Sequence, residues 1–136
     1  NESAQLRDLA RSIRSDQRAP FLAPWWLSPA IAYWSGQPGV AGSSHESLQG
    51  IADSARFFLS EQPGAAREIL LKHETTWVFA YDSDRLIQNS AGLLGVAVPE
   101  RPLARVLDRS PARAAAFLVL SGQNGAGKLF RFVDKL

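Results

Sequence analysis

Apolar positions in this chain recur with the spacing of helices in some segments and with that of strands in others. Several segments place apolar side chains every three or four residues and charged ones between them, as amphipathic helices do. The pattern therefore predicts helices over Ser3–Ser15, Pro29–Trp34, a stretch that ends near Ser60, Pro63–His73, a stretch that ends at Leu94, and Pro102–Asp108.

Cap residues support several of these helix ends. Pro29 suits a first helical position, and Ser28 before it can act as a cap. Ser43 and Glu46 have the spacing of a capping box ahead of the helix that ends near Ser60. Asp82–Asp84 can cap the helix that ends at Leu94. These signals place the helix boundaries more narrowly than the periodicity alone.

Shorter apolar runs, rich in β-branched and aromatic residues, predict the strands. They are Phe21–Trp26, Gly39–Ala41, Thr75–Tyr81, Ala115–Leu120 and Lys128–Val133. Strands that alternate with helices favour parallel βαβ units, and the Gly-rich turn Gly122–Gly127 favours a final antiparallel hairpin. Residues 1–136 are thus expected to form one α/β domain, with a mostly parallel sheet flanked by helices and a C-terminal hairpin. Thr75–Tyr81, apolar on both faces, is expected at its centre.

Composition supports a folded domain and excludes some classes of function. Hydrophobic residues make up 46% of the 136 residues, and the net charge is only +2. Basic and acidic residues are interspersed, so no nucleic-acid partner is expected. There is no Cys, which excludes disulfides and thiolate metal sites. The chain opens at Asn1 and has no Met, so we expect a piece of a larger protein, with the chemistry outside it.

The most conspicuous motif is Gly122–Lys128, which matches the G-x-x-x-x-G-K pattern of a phosphate-binding loop. Such a loop needs a Ser or Thr after the Lys and must open a helix. Here Leu129 follows, and the alternation of Lys128–Val133 indicates a strand. The motif therefore predicts a hairpin turn that does not bind nucleotide.

Ser43-Ser44-His45-Glu46 brings a hydroxyl, an imidazole and a carboxylate together in sequence. Adjacent side chains diverge and rarely form a catalytic triad, so a small hydrolase built on Ser44 and His45 is a minor alternative. His45 lies beside a Gly-containing loop at a predicted helix start. It is a candidate ligand contact, with a plain structural histidine as the alternative.

No metal site and no catalytic residue is predicted. Asp82 and Asp84 form a helix cap with no further ligand near them in sequence. His73 lacks the spacing of a zinc site, and we interpret it as structural. No cofactor is therefore expected in this domain.

Large aromatic side chains cluster in one short segment, at Trp25, Trp26, Tyr33 and Trp34. Such a cluster suits a core, a sugar-stacking surface or a membrane-interface belt. Strand alternation would direct Trp25 and Trp26 to opposite faces, one buried and one available for binding.

The segment from Pro20 to Asp82 resembles the extracytoplasmic C-terminal domain of the oligosaccharyltransferase catalytic subunit family. It also resembles the related multi-spanning glycosyltransferases that use lipid-linked sugar donors. The residues that carry the resemblance are Trp25-Trp26, Pro29–Trp34, Gly39–Ala41, His45, Ala52–Phe57 and Trp77–Tyr81. The family signature continues Trp-Trp with Asp, whereas Leu27 stands here. Because that Asp belongs to a signature that contacts the acceptor sequon, the change puts an Asn-x-Ser/Thr acceptor in doubt.

The resemblance implies a domain on the periplasmic or extracellular face of an integral membrane protein. Its partners would be the membrane-embedded remainder of the same chain and a peptide or saccharide acceptor, held over the active site in the membrane. The implied contacts are Trp25, Trp26, Ser28 and His45, which should share one edge because loops beyond the carboxyl ends of parallel strands meet there. The alternative is a freestanding Rossmann-like module that binds a sugar or a small anion.

Overall fold

The computed structural model describes residues 2–13, 15–42 and 47–134. Helices outnumber strands, and the last two strands follow one another at the C-terminal end of this part. The helices are α1 (Glu2–Arg11), α2 (Ser28–Ser35), α3 (Ser47–Leu59), α4 (Pro63–Lys72), α5 (Ser83–Leu94) and α6 (Leu103–Arg109). A short 3₁₀ helix follows α6. The strands are β1 (Phe21–Leu22), β2 (Trp77–Ala80), β3 (Leu118–Asn124) and β4 (Gly127–Phe132).

The four strands form one mixed sheet in the order β1-β2-β4-β3. Only β1 and β2 are parallel, whereas β4 runs antiparallel to both β2 and β3. The prediction of a mostly parallel sheet is therefore wrong, and that of an α/β fold with a C-terminal antiparallel hairpin is confirmed. The order of the elements along the chain does not show that β4, the second strand of the hairpin, pairs with β2.

The first two predicted strands are much shorter than the pattern suggested. Extended pairing stops at Leu22, two residues before Pro24, and Gly39 forms only an isolated bridge to Phe21. Around this bridge the Phe21 N–H donates to the Pro38 carbonyl, and the Val40 N–H donates to the Phe21 carbonyl. The segment around Gly39 is thus held along β1 without forming a full strand.

Two helical layers enclose the sheet. Helices α1 and α2 pack on one face through Leu9 and Ile31, against Phe21, Phe79 and Leu129 of the sheet. Helices α3 to α6 pack on the other face around a larger cluster. Its most buried large side chains are Leu22, Phe57, Phe58, Leu70, Val78, Leu86, Ile87, Leu107 and Phe130. Strand β2 contributes to both clusters and lies inside the sheet, as predicted for Thr75–Tyr81.

Local signals proved reliable at several helix ends. Helix α5 begins after Asp82, whose side chain accepts a hydrogen bond from the Arg85 N–H. It ends at Gly95, which has the left-handed conformation that favours glycine. Helix α2 starts one residue earlier than predicted, so Ser28 lies inside its first turn and does not cap it. The proposed capping box of Ser43 and Glu46 lies outside the described residues.

A glycine lets α3 approach the segment that follows α2. A Cβ atom built on Gly50 would lie 2.0 Å from the Val40 carbonyl oxygen. No side chain fits in that space, so glycine at this position allows backbone to contact backbone. The contact fixes the stretch that leads into residues 43–46.

We expect Gly50→Ala to lower the free energy of unfolding by about 3 kcal/mol, the upper range for overpacking, because the obstructing atom belongs to the backbone. Gly92→Ala is the matched control, since Gly92 also lies inside a helix but a Cβ there meets nothing within 4 Å. Replacing that helical glycine should stabilise the domain by about 0.5–1 kcal/mol. Urea denaturation measures both, and equal effects of the two substitutions would contradict the close approach.

Candidate functional site

Trp25 and Trp26 lie in a turn that joins β1 to α2, and not in a strand. The Leu27 N–H closes this turn on the Pro24 carbonyl at 2.9 Å. The two indole rings pack edge to face, with centroids 5.6 Å apart and planes at 82°. Both side chains are half-buried. The expectation that they point to opposite sides of a strand is therefore wrong, because Pro24 ends the extended backbone before them.

An open groove of about 470 Å³ lies between this indole pair and one face of α5. The α5 side of the groove is formed by Arg85, Gln88, Asn89, Gly92 and Leu93. The Arg85 guanidinium carbon lies 5.6 Å from the Trp26 ring centroid, within the range of a cation–π contact. The groove thus combines two aromatic rings, two carboxamides and one guanidinium.

Three buried polar groups beside the groove have no hydrogen-bond partner in the described structure. They are Nε1 of Trp25, Nε1 of Trp26 and Oγ of Ser28, which is 1% exposed. Buried donors without acceptors are destabilising and uncommon in folded proteins. All three belong to the turn after β1 and the first residue of α2.

Of the four contacts predicted from the sequence, three can be located. Trp25, Trp26 and Ser28 lie together around the turn after β1, whereas His45 lies outside the described residues. Its proximity to the tryptophans therefore stays a prediction.

Sequence reasoning missed the wall formed by α5. A signal for it was present, because Arg85, Gln88, Asn89 and Gly92 are spaced by three, one and three residues, which places them on one helical face. The helix also begins directly after the carboxyl end of β2, where ligand contacts gather in parallel α/β units.

The phosphate-loop motif forms the predicted hairpin. Residues 122–124 complete β3, Gly125 turns the chain with a positive φ of 60°, and β4 starts at Gly127. The Lys128 side chain is only 5% exposed and donates to Asp108 Oδ1 at 2.9 Å. With no helix after the loop and its lysine paired internally, the segment has neither feature that phosphate binding would need.

Two carboxylates are held in networks of hydrogen bonds. Asp53 lies 2.8 Å from His73 Nε2 and also accepts from Lys72 and Arg56. His73 therefore has a structural partner, in agreement with its interpretation from sequence. Asp84 pairs with Arg105 at 3.1 Å while Asp82 caps α5. Among the described residues, no group of three His, Cys, Asp or Glu side chains is arranged to hold a metal ion.

Asp108 joins three elements at the start of α5. Its Oδ2 accepts from Ser83 Oγ at 2.8 Å while Oδ1 pairs with Lys128. Burial works to raise the pKa of Asp108, but the hydrogen bonds from Lys128 and Ser83 outweigh it and hold the pKa below its usual value. The pKa of Asp53 is also lowered, because its bonds to His73, Lys72 and Arg56 outweigh burial. Both carboxylates thus stabilise the fold in their ionised form.

We expect Asp108→Asn to lower the free energy of unfolding by about 2 kcal/mol at pH 7. Breaking a fully buried ion pair costs about 3–5 kcal/mol, and the partial exposure of Asp108 reduces this. Because the folded pKa is lowered, the contribution is complete above about pH 4 and disappears as the pH falls through the folded pKa. Denaturation at several pH values should therefore show the variant and the parent converging in acid.

Asp84→Asn is the control for this prediction. Asp84 is 83% exposed in its pair with Arg105, so its loss should cost no more than about 0.5 kcal/mol. If Asp84→Asn lowered the free energy of unfolding as much as Asp108→Asn, the burial of the Asp108–Lys128 pair would add nothing to its contribution to stability.

Two solved structures have a fold similar to that of this chain. Both are crystal structures of the C-terminal globular domain of an oligosaccharyltransferase from Archaeoglobus fulgidus. One has a TM-score of 0.76 and 16% sequence identity, and the match covers 93% of each chain. The other has a TM-score of 0.68 and 16% identity over 96% of this chain and 93% of that one. No family model and no curated protein matches the sequence.

None of the helices in the described residues is long and apolar enough to cross a bilayer. The two matches extend over nearly the whole of this chain and nearly the whole of those domains. The resemblance seen in the sequence is thereby confirmed for the fold: this chain has the fold of the C-terminal globular domain of archaeal oligosaccharyltransferases.

Proposed function

We propose that this domain belongs to a membrane glycosyltransferase related to the oligosaccharyltransferases and holds an acceptor over an active site in the membrane. The observation that carries the proposal is the groove between the Trp25–Trp26 pair and α5. It occurs in a chain whose fold matches the C-terminal domain of such enzymes over 93% of its length. The domain would lie on the extracytoplasmic side of the membrane in this proposal.

The side chains of the groove suit a peptide or a saccharide acceptor. Aromatic faces bind the apolar faces of sugars and the side chains of peptides. Gln88 and Asn89 each offer a donor and an acceptor, which fits amide bonds as well as hydroxyl groups.

A holding role fits the groove better than catalysis. Its seven lining residues include no carboxylate, histidine, hydroxyl or lysine side chain. It therefore lacks a general base and a nucleophile of the usual kinds. In this proposal the reacting groups belong to the membrane-embedded part of the protein, and the groove fixes the acceptor beside them.

Leu27 distinguishes the acceptor preference proposed for this domain from that of the family. Leu27 occupies the position after the two tryptophans, where the family signature has Asp, and packs against the cluster beneath α1 and α2. No carboxylate thus follows the tryptophans to contact a hydroxyl of the acceptor. Selection in this groove would come from Arg85, Gln88 and Asn89 instead.

We expect Gly92→Leu to fill the groove and reduce glycosyl transfer by at least tenfold, because about 1.4 kcal/mol of lost binding is a tenfold change. A side chain at Gly92 enters open space on the groove wall, so the fold should persist. The assay uses membranes that contain the product of the intact gene and a lipid-linked oligosaccharide donor, with peptide and saccharide acceptors tested separately.

Gly64→Leu supplies the matched control. Gly64 also has open space for a Cβ but lies on α4, away from the groove. Transfer should stay within about twofold of the unmodified protein, as for surface changes generally. Equal loss in both variants, or full activity in Gly92→Leu, would reject the groove as an acceptor site.

Fractionation of the gene product separates this proposal from a freestanding binding module. A membrane enzyme stays in the pellet after an alkaline carbonate wash, whereas a freestanding module is released. The described sheet has a single parallel pair of strands, whereas a Rossmann-like sheet is mostly parallel. The structure therefore gives the alternative of a Rossmann-like module little support. Release of the protein, together with sugar binding by the groove, would nevertheless favour that alternative.

A further inference from the structure

A second cavity, of about 320 Å³, lies at the opposite end of the sheet from the tryptophan groove. Its walls include Arg18, Thr76, Trp77 and Arg131, and none of its lining residues is acidic. Trp77 begins β2, whereas the tryptophan groove lies beyond the carboxyl ends of β1 and β2. The cavity is therefore separate from the proposed acceptor site.

The sheet register brings the main groups of this cavity together. Trp77 of β2 and Arg131 of β4 are directly paired across the antiparallel ladder, so their side chains share one face of the sheet. Arg18 comes from the loop between α1 and β1, which crosses the same end. Two arginines and a tryptophan thus line the same cavity.

Both arginines are available to a ligand. The Arg131 side chain is exposed and forms no hydrogen bond or ion pair with other described residues. Arg18 pairs with Glu74 at 3.7 Å, but these side chains are 66% and 81% exposed, and such pairs contribute little to stability. The indole Nε1 of Trp77 is buried and has no hydrogen-bond acceptor.

From these observations we infer that the Arg18–Arg131–Trp77 cavity is a binding site for a phosphate group. Two arginine forks match the charge and the oxygen geometry of a phosphate dianion. The Trp77 side chain, which also lines the cavity, offers an apolar surface for the group to which the phosphate is attached. The ligand class is a phosphate monoester, either a soluble metabolite or a lipid headgroup.

The test is an NMR titration of the ¹⁵N-labelled chain with inorganic phosphate at constant ionic strength. We expect saturable shifts of the Trp77 indole N–H signal. Arg131→Gln should weaken binding about tenfold or more, because a charge-assisted bond is lost.

Arg113→Gln is the matched control, since it removes the same charge from an exposed arginine outside this cavity. Its affinity for phosphate should stay within about twofold of the parent, as expected of an exposed charge that does not line the cavity. Equal weakening by Arg113→Gln, or shifts that never saturate, would show only general attraction to a basic surface and would overturn the inference.

The source of the phosphate is tested with two further probes. Glycerol 3-phosphate represents a soluble monoester, and vesicles of phosphatidylcholine with phosphatidic acid represent a lipid headgroup. If the cavity is the binding site, Arg131→Gln should weaken the binding of whichever probe binds more tightly. Binding of both probes unchanged by Arg131→Gln would reject the site.

Discussion

The burial of both faces of β2 is the constraint on which the rest of the domain depends. Val78 and Phe79 are completely buried on opposite sides of a strand only four residues long. A strand of this kind needs a helical layer over each face and a hydrogen-bonded neighbour along each edge. The chain meets these needs with α1 and α2 on one side, α3 to α6 on the other, and β1 and β4 along the edges.

This arrangement also separates the two ends of the sheet by their chemistry. At the carboxyl ends of β1 and β2 the chain turns outward, into the tryptophan pair after β1 and into α5 after β2. Because these strands are adjacent and parallel, both continuations meet, and the groove forms between them. At the other end, β4 runs the opposite way and brings Arg131 beside Trp77. The pairing of β4 with β2 therefore contributes one arginine and one aromatic side chain to the cavity at this end.

The sequence predicted those features that depend on neighbours in the chain. Helix periodicity, the Asp82 cap, the Gly95 stop and the final hairpin are local, and the structure confirms them. Strand order and direction depend on contacts between distant segments, so placing β4 beside β2 was beyond the reach of local patterns. The length of β1 was misjudged for another reason, because the apolar run continues through Pro24 although extended pairing ends at Leu22.

The same distinction explains what was found of the site. Trp25 and Trp26 stand out by composition alone, whereas Arg85 and Asn89 become notable only when α5 is seen beside them. Within the turn, consecutive side chains serve different parts of the molecule: Trp26 packs toward the α5 side, and Leu27 packs toward α1 and α2. An acidic residue at position 27, directed as Leu27 is, would lie against the apolar cluster beneath α1 and α2, which disfavours the charged form of a carboxylate. The absence of Asp after the two tryptophans is therefore consistent with the packing of this turn.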